Sequence, residues 1–514
     1  MNKMETEFLA ALDPLDAHNQ ILAGNVHPPD WVNPVPKPFY DLVVIGGGTA
    51  GLVTAAGAAG LGAKVALVER ALLGGDCLNV GCVPSKALIR SAAVCTDSQH
   101  TAAYGISIKG EITAEFPAVM ERLRRLRSGI SHHDSAARFR SLGIDVFIGS
   151  GKFVSRNKIE VDGAGLRFRR AVIAAGARAT IPKIKGLDKI PYLTNETVFS
   201  LTQLPPRTAV LGAGPIGCEL SQALTRLGSR VYLLSGGHSF MTVEDRDAAQ
   251  RVEASLRADG VEIIADQAVA GFGPRENGRC AVLFSGPGPL SSITVDAVLV
   301  AVGRTPNCES LNLEAAGVKW EPHKGVLVND FLRTSNRLIY AAGDVCSAFK
   351  FTHAADAMAR IVLANALFFG RQRVSRLVIP HCTYTDPEVA GVGLSEEQLK
   401  KANTSFKTIR IDMKSVDRAV LDGQTDGYLK VHLAAGTDRI LGASLVARHA
   451  GEIIAEVALA MTAGLGLSAI GKTIHPYPTQ SEIFKKAADA YNRSRLSPRV
   501  GKILKTIISI RRKL

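Results

Sequence analysis

Cys77 and Cys82 stand with four residues between them in the run Gly74-Gly75-Asp76-Cys77-Leu78-Asn79-Val80-Gly81-Cys82-Val83-Pro84-Ser85-Lys86. That spacing lets two sulfurs close a small disulfide ring at the start of a helix. A thiolate at a helix N-terminus near a cation has a lowered pKa, and the thiolate is the reactive form. A structural disulfide rarely sits in a Gly-rich turn just after a nucleotide-binding unit. The pair therefore reads as a working redox centre, and a redox centre needs a supply of electrons.

Two glycine turns can provide it. Gly46-Gly47-Gly48-Thr49-Ala50-Gly51 fits G-x-G-x-x-G, follows the apolar strand Asp41–Ile45 and opens an Ala-rich helix. Gly46, Gly48 and Gly51 permit the tight turn and the approach of a pyrophosphate to a helix N-terminus. Glu69 ends the next strand, where a carboxylate binds ribose hydroxyls. The unit recurs. Thr208–Leu211 leads into Gly212-Ala213-Gly214-Pro215-Ile216-Gly217, a helix, and the strand Val231–Leu234. At the position matching Glu69 stands Ser235, which removes the repulsion against a 2′-phosphate. The flanking Gly236, Gly237 and His238 leave room but supply no arginine. NADPH is the expected second dinucleotide, with NADH the alternative. The repeat predicts an α/β chain with two Rossmann-like domains. Two dinucleotides and a dithiol imply a path from NAD(P)H through a flavin to the cysteines.

The 514 residues suffice for several domains. Eight cysteines are too sparse for a disulfide scaffold, and one catalytic pair fits a reducing cytoplasm. The start Met1–Glu7 lacks the apolar stretch of a signal peptide. The longest apolar run, Ile453 to Ile470, contains Glu456 and glycines and reads as a buried helix, not a membrane span. The net charge of +14 raises nucleic-acid binding as a reading. The basic residues are spread along the chain, apart from Arg122–Arg127 and the tail, and no recognition module accompanies them, so no nucleic-acid partner is expected. Residues 1–38 end in the Pro-rich stretch His27–Pro38 and read as an irregular extended arm.

Together these motifs resemble the pyridine nucleotide–disulfide oxidoreductases, the family of dihydrolipoamide dehydrogenase, glutathione reductase and mercuric reductase. The resemblance implies FAD at the first turn, NAD(P)H at the second, and a homodimer whose active sites borrow residues from the partner. It implies an FAD-binding domain in residues 39–180 and 306–378, an NAD(P)H domain in 181–305, a C-terminal α+β dimerisation domain in 379–492 and a basic tail in 493–514. By the same resemblance Cys82 is the thiolate nearer the flavin and Cys77 attacks substrate. Lys86 lies beside the flavin and pairs with Glu219. Ala175-Gly176 marks the crossover into the nicotinamide domain and Gly303, in Ala301–Asn307, the way out. Asp344 holds the ribityl chain, and the helix from His353 points its N-terminus at the flavin.

The C-terminal motif departs from the family pattern. Disulfide reductases carry His-x-His-Pro-Thr-x-Ser-Glu, whose second histidine shuttles thiol protons. Here the stretch is His475-Pro476-Tyr477-Pro478-Thr479-Gln480-Ser481-Glu482, which places Tyr477 at the base position and keeps Glu482. A phenol with a pKa near 10 is a poor base at neutral pH. His475 is the remaining histidine, two residues away. A tyrosine there resembles mercuric reductase, and a soft metal ion suits two thiolates. Cys77 and Cys82 would then bind Hg(II) transiently as substrate. No cysteine follows Cys382, and Asp76 replaces the usual threonine before the first redox cysteine, so mercury delivery by the known route is not expected. The leading expectation is an FAD-dependent mercuric reductase-type enzyme taking an Hg(II)–thiol complex. The alternatives are a disulfide or small-oxidant reductase and, in another class, an FAD-binding redox sensor. The tail from Arg499 alternates basic and apolar residues, so it reads as solvated or dimer-docked, with weak membrane-surface contact as the alternative.

Overall fold

The first glycine turn grows out of a parallel sheet. In the strand Tyr40–Ile45, Leu42, Val43, Val44 and Ile45 are all buried, the pattern of a strand covered on both faces. It lies between Val65–Glu69 and Ala164–Ile173, with Ile45 level with Val68 on one side and Ile173 on the other. Asp145–Ile148 and Ile339–Ala341 extend the sheet at its two sides, also in parallel. The carboxyl ends of these strands bring Gly46, Glu69, Ala174 and Ala342 to one edge, where open α/β sheets bind ligands. The structure, a computed structural model, describes residues 10–110, 112–236, 240–242, 244–286 and 288–512. Gly237, His238, Lys513, Leu514 and the start Met1–Glu7 lie outside the described residues.

The second turn is built in the same way. Arg207–Leu211 sits between Arg230–Leu234 and Ala297–Val300, and Glu262–Ile264 continues the parallel order. Ala177–Ala179 and Arg304–Pro306 pair antiparallel, so the chain leaves and returns along a two-stranded link. Both sheets belong to one compact unit, Met1–Ser239 with Asp259–Leu377. The second unit comprises Phe240–Ala258 with Val378–Leu514. Its five-stranded antiparallel sheet runs Pro380–Thr383, Glu388–Gly393, Ile440–Ala447, Tyr428–Ala434, Phe406–Asp412. The helix Glu482–Ser494 buries Ile483, Phe484, Ala487, Ala488 and Tyr491 in this unit's core, one stripe at helical spacing. The helix Arg246–Ala258 belongs to this second unit and meets its sheet through Asp247 and Lys430, 2.7 Å apart.

Two sequence expectations need correction. The N-terminal arm is not extended throughout, because Ala17–Val26 is a helix whose N-cap Asp16 accepts from Asn19 N at 2.9 Å. Leu22 and Val26 are fully buried, worth about 1.5–3 kcal/mol each on that face. The basic cluster Arg122–Arg127 is drawn partly inside, with Arg125 exposed and Arg124 and Arg127 buried. Arg124 pairs with Asp16 at 2.5 Å, and Arg127 has no exposed surface. Its guanidinium donates to Asn79 O at 2.7 Å, Ala11 O at 3.0 Å and Asn19 Oδ1 at 2.7 Å. Finally, the apolar run 453–470 is not one buried helix. It breaks into Ala450–Ile453, Ala455–Thr462 and Leu467–Lys472, with Gly464 at φ +69° and Gly466 capping the last. Among the described residues no helix is long and apolar enough to cross a membrane.

Candidate active site

Cys77 lies in the short helix Gly75–Asn79, and Cys82 is the first residue of the helix Cys82–Gln99. Gly81 between them is required by packing, since a Cβ there would come within 2.7 Å of Asp76 O. Both thiols are free, and Cys77 donates a hydrogen bond to the Cys82 sulfur. That bond lowers the Cys82 pKa to about 6, against the opposing effect of burial. Thr352 Oγ1, 3.4 Å from Cys82 Sγ, and the charge of Lys86 push it the same way. Cys77 moves upward, first because it gives its proton to that bond and then because it is buried. The pair is thus split into a thiolate at the helix N-terminus and a protonated neighbour. The Asp134 carboxylate opposes ionisation of Cys77 further.

Lys86 is one turn beyond Cys82 on the same helix. Its Nζ lies 2.7 Å from Glu219 Oε2 on the buried side of the helix Pro215–Arg226. The helix that begins at Cys82 is thereby tied to the helix that opens at the second glycine turn. Asp76 is held by Arg304, whose Nε is also 3.6 Å from Asp344 Oδ2. Burial raises the Asp344 pKa, and Arg304 opposes that rise. His353 sits at the start of the helix Thr352–Leu367, its ring stacked on Phe351 with centroids 5.4 Å apart.

The two glycine turns share one steric logic. Gly46 and Gly212 have φ of +106° and +104°, and a Cβ at either would strike a carbonyl of the neighbouring strand, Ala174 O at 2.2 Å or Ala301 O at 2.5 Å. A Cβ on Gly51 or Gly217 would fall 1.7 Å or 1.9 Å from the carbonyl of the first glycine of its own turn. Around Gly48 the nearest atom to such a Cβ is 3.7 Å away, and around Gly214 nothing lies within 4 Å. The middle glycines therefore face open space at a helix N-terminus, the cradle a pyrophosphate needs. Glu69 Oε2 accepts from Gly47 N at 2.5 Å and Oε1 from Ala71 N at 2.7 Å, while burial raises its pKa. Glu69, Gly46 and Ala175 line a cleft open to solvent. Gly176 turns the chain at φ +66°, and Asn307 Nδ2 donates to Ala175 O at 2.9 Å. At the second turn Ser235 donates to Ala265 O at 3.2 Å, and Gly303, at φ +126°, accepts from Thr180 N. Both cradles fit dinucleotides.

The C-terminal motif lies in the second unit. Tyr477 is 71% exposed, and its hydroxyl donates to Asp417 Oδ2 at 2.9 Å, which raises its pKa. His475 is committed elsewhere, Nε2 to Glu456 at 2.8 Å and Nδ1 to Thr473 O at 3.0 Å. Glu482 meets Lys486 at 3.3 Å, and its Oε2 is buried without a hydrogen-bond partner among the described residues. Sequence reasoning missed Thr352 and Asp134 at the redox pair, and the link from Arg304 to Asp76. Thr352 lies 270 residues from Cys82, and no local spacing announces it.

Residues 40–359 match the pyridine nucleotide-disulphide oxidoreductase family, and residues 379–488 match its dimerisation domain. A mercuric reductase of Lysinibacillus sphaericus is 35% identical over 456 residues, 88% of this chain and 83% of the relative. A dihydrolipoyl dehydrogenase of Thermus scotoductus is 34% identical over 465 residues, 88% and 98% of the two chains. Among solved structures, the Cu(II) complex of the HOCl-induced flavoprotein disulfide reductase RclA from Escherichia coli superposes with a TM-score of 0.79. It is 27% identical and covers 88% of this chain and all of that one. The chain belongs to the pyridine nucleotide-disulphide oxidoreductase family, whose members are FAD-dependent and use NAD(P)H.

Proposed function

We propose, with that membership as the premise, that this protein is a cytoplasmic reductase of mercuric reductase type. In this reading Cys77 and Cys82 take Hg(II) from a thiol complex and return it as Hg(0). When bound, FAD would take hydride from NAD(P)H and supply two electrons to the Hg(II) held by the cysteine pair. Gly46, Gly48, Gly51 and Glu69 would hold its pyrophosphate and ribose; Ala175, Gly176, Asp344, Lys86 and His353 would lie along the rest of it. Gly212, Gly214, Gly217 and Gly303 would receive the nicotinamide dinucleotide, and Ser235 favours NADPH there. The balance closes simply. NADPH loses two electrons and a proton, Hg(II) gains the two electrons, and the proton replaces the one that Cys77 gave up when the metal ion bound, so the pair returns to one thiolate and one thiol.

The observation that carries the choice of acceptor is Tyr477. Its proton is held on the phenol by Asp417, and the nearby His475 is bound to Glu456. A disulfide acceptor leaves a thiolate that a base or acid must serve; a bound metal ion does not. Cys82 meanwhile is a thiolate at neutral pH, the form a soft cation binds. The decisive experiment is anaerobic NADPH oxidation with Hg(II) and excess thiol, with Hg(0) trapped from the gas phase. Hg(II)-dependent turnover lost in Cys77→Ala and Cys82→Ala supports the reading. Its absence in the wild type sinks mercury as substrate. A second reading rests on the likeness to RclA, an HOCl-induced flavoprotein disulfide reductase whose solved structure is a Cu(II) complex. Turnover with a small disulfide or with Cu(II) exceeding that with Hg(II) would favour it.

A further inference from the structure

Beyond the matched dimerisation domain, which ends at residue 488, lies one more helix, Pro498–Arg511. Ser497 starts it by accepting from Val500 N at 3.3 Å, and Pro498 occupies the first turn. Among the described residues no other helix or strand packs extensively against it. Val500, Ile503, Leu504, Ile507, Ile508 and Ile510 are 38%, 59%, 44%, 50%, 53% and 55% exposed. At about 100° per residue they fall within one arc of about 160°. Lys502, Lys505, Thr506, Ser509 and Arg512 fill the opposite face. Arg511 alone enters the apolar stripe, in the last turn, where its long stem can carry the charge outward.

The charge names the occupant. From residue 498 to 514 there are six Lys or Arg and no Asp or Glu. A sheet of anionic headgroups over acyl chains offers both what the basic face and what the apolar face require. We propose that Pro498–Arg511 is an interfacial anchor lying in the plane of an anionic phospholipid surface. At about 1.5 Å per residue it is about 21 Å long, and it lies along the surface without spanning it. A dimer presents two such helices, so two weak attachments act together.

The test uses the full-length, FAD-loaded protein in a flotation assay. One set of vesicles is pure phosphatidylcholine, and in the other about a third of the lipid is phosphatidylglycerol. Binding to the anionic vesicles should exceed binding to the neutral ones at least about tenfold, and salt raised to about 0.5 M should erase most of the difference. The pair Lys502→Glu/Lys505→Glu and the pair Ile503→Ser/Ile507→Ser should each lose it, with flavin absorbance and NADPH oxidation unchanged. Equal binding to both vesicles, or binding that survives either pair, overturns the proposal. So does light scattering in which Ile503→Ser/Ile507→Ser turns a dimer into a monomer, because that assigns the face to a second copy. None of these readouts depends on which acceptor the cysteines reduce.

Discussion

Cys82 sits among partners that all bear on its charge: Cys77 donates to it, Thr352 is in reach, and Lys86 is pinned one turn away by Glu219. Tyr477 is the reverse. It stands out into solvent, hydrogen-bonded to a carboxylate that keeps its proton in place, while Glu482, five residues on, has a buried oxygen without a hydrogen-bond partner among the described residues. The comparison separates two tasks that disulfide reductases combine. Making a reactive thiolate requires a settled electrostatic site. Handling the proton of a departing thiol requires a titratable base. Here groups suited to the first task are assembled around Cys82, whereas the Tyr477 hydroxyl is a group that holds its proton.

The largest break in that comparison is removal of the thiolate. Cys82→Ala should lower acceptor-dependent turnover by about a thousandfold or more while leaving bound flavin reducible by NADPH, as stopped-flow absorbance would report. Retention of a tenth of the activity would mean that electrons bypass the pair. Next comes restoration of the base. Tyr477→His should raise NAD⁺ reduction by dihydrolipoamide by about a hundredfold, whereas Tyr477→Phe should leave it at the wild-type level. An equal rise in both would show that the phenol obstructs the site and that proton transfer is not the missing step. Ser235→Glu acts on the supply side alone. The kcat/KM ratio of NADPH to NADH should fall about tenfold, a loss of about 1.4 kcal/mol in selectivity.

The smallest effect sharpens the electrostatic half. With its pKa lowered to about 6, Cys82 is a thiolate above that pH and loses reactivity as the pH falls through it. Lys86→Met removes a charge that lowers this pKa, so the midpoint of a pH series of iodoacetamide alkylation should move upward, by about one unit. A midpoint that stays in place would leave the hydrogen bond from Cys77 as the main cause.

What the sequence discloses follows the range of each interaction. The two glycine turns and the Cys77–Cys82 motif are local spacings, and each glycine's role is fixed by a clash within its own turn or with the adjoining strand. The Lys86–Glu219 pair spans 133 residues and was reachable only through family likeness. The helix Ala17–Val26 escaped notice because the prolines that follow dominate the arm. Its partners on Phe116–Ser131 are more than a hundred residues away. The run 453–470 misled because its glycines can be tolerated inside a helix, whereas here Gly464 turns the chain at φ +69° and Gly466 caps the start of a new helix.

Arg127 gives the N-terminal helix a reach beyond its own packing. The same guanidinium that holds Ala11 O and Asn19 Oδ1 also holds Asn79 O, midway between the two redox cysteines. The family match starts at residue 40, so a version trimmed to that boundary would keep every catalytic motif. It would also strand a buried cation beneath the redox turn. Hydrogen bonds to charged groups are worth about 1.5–3 kcal/mol each, and two would be lost. Homology boundaries therefore cut this chain in the wrong place for an engineer: Ala11 and Asn19 lie before the boundary and share one guanidinium with the turn between the two cysteines.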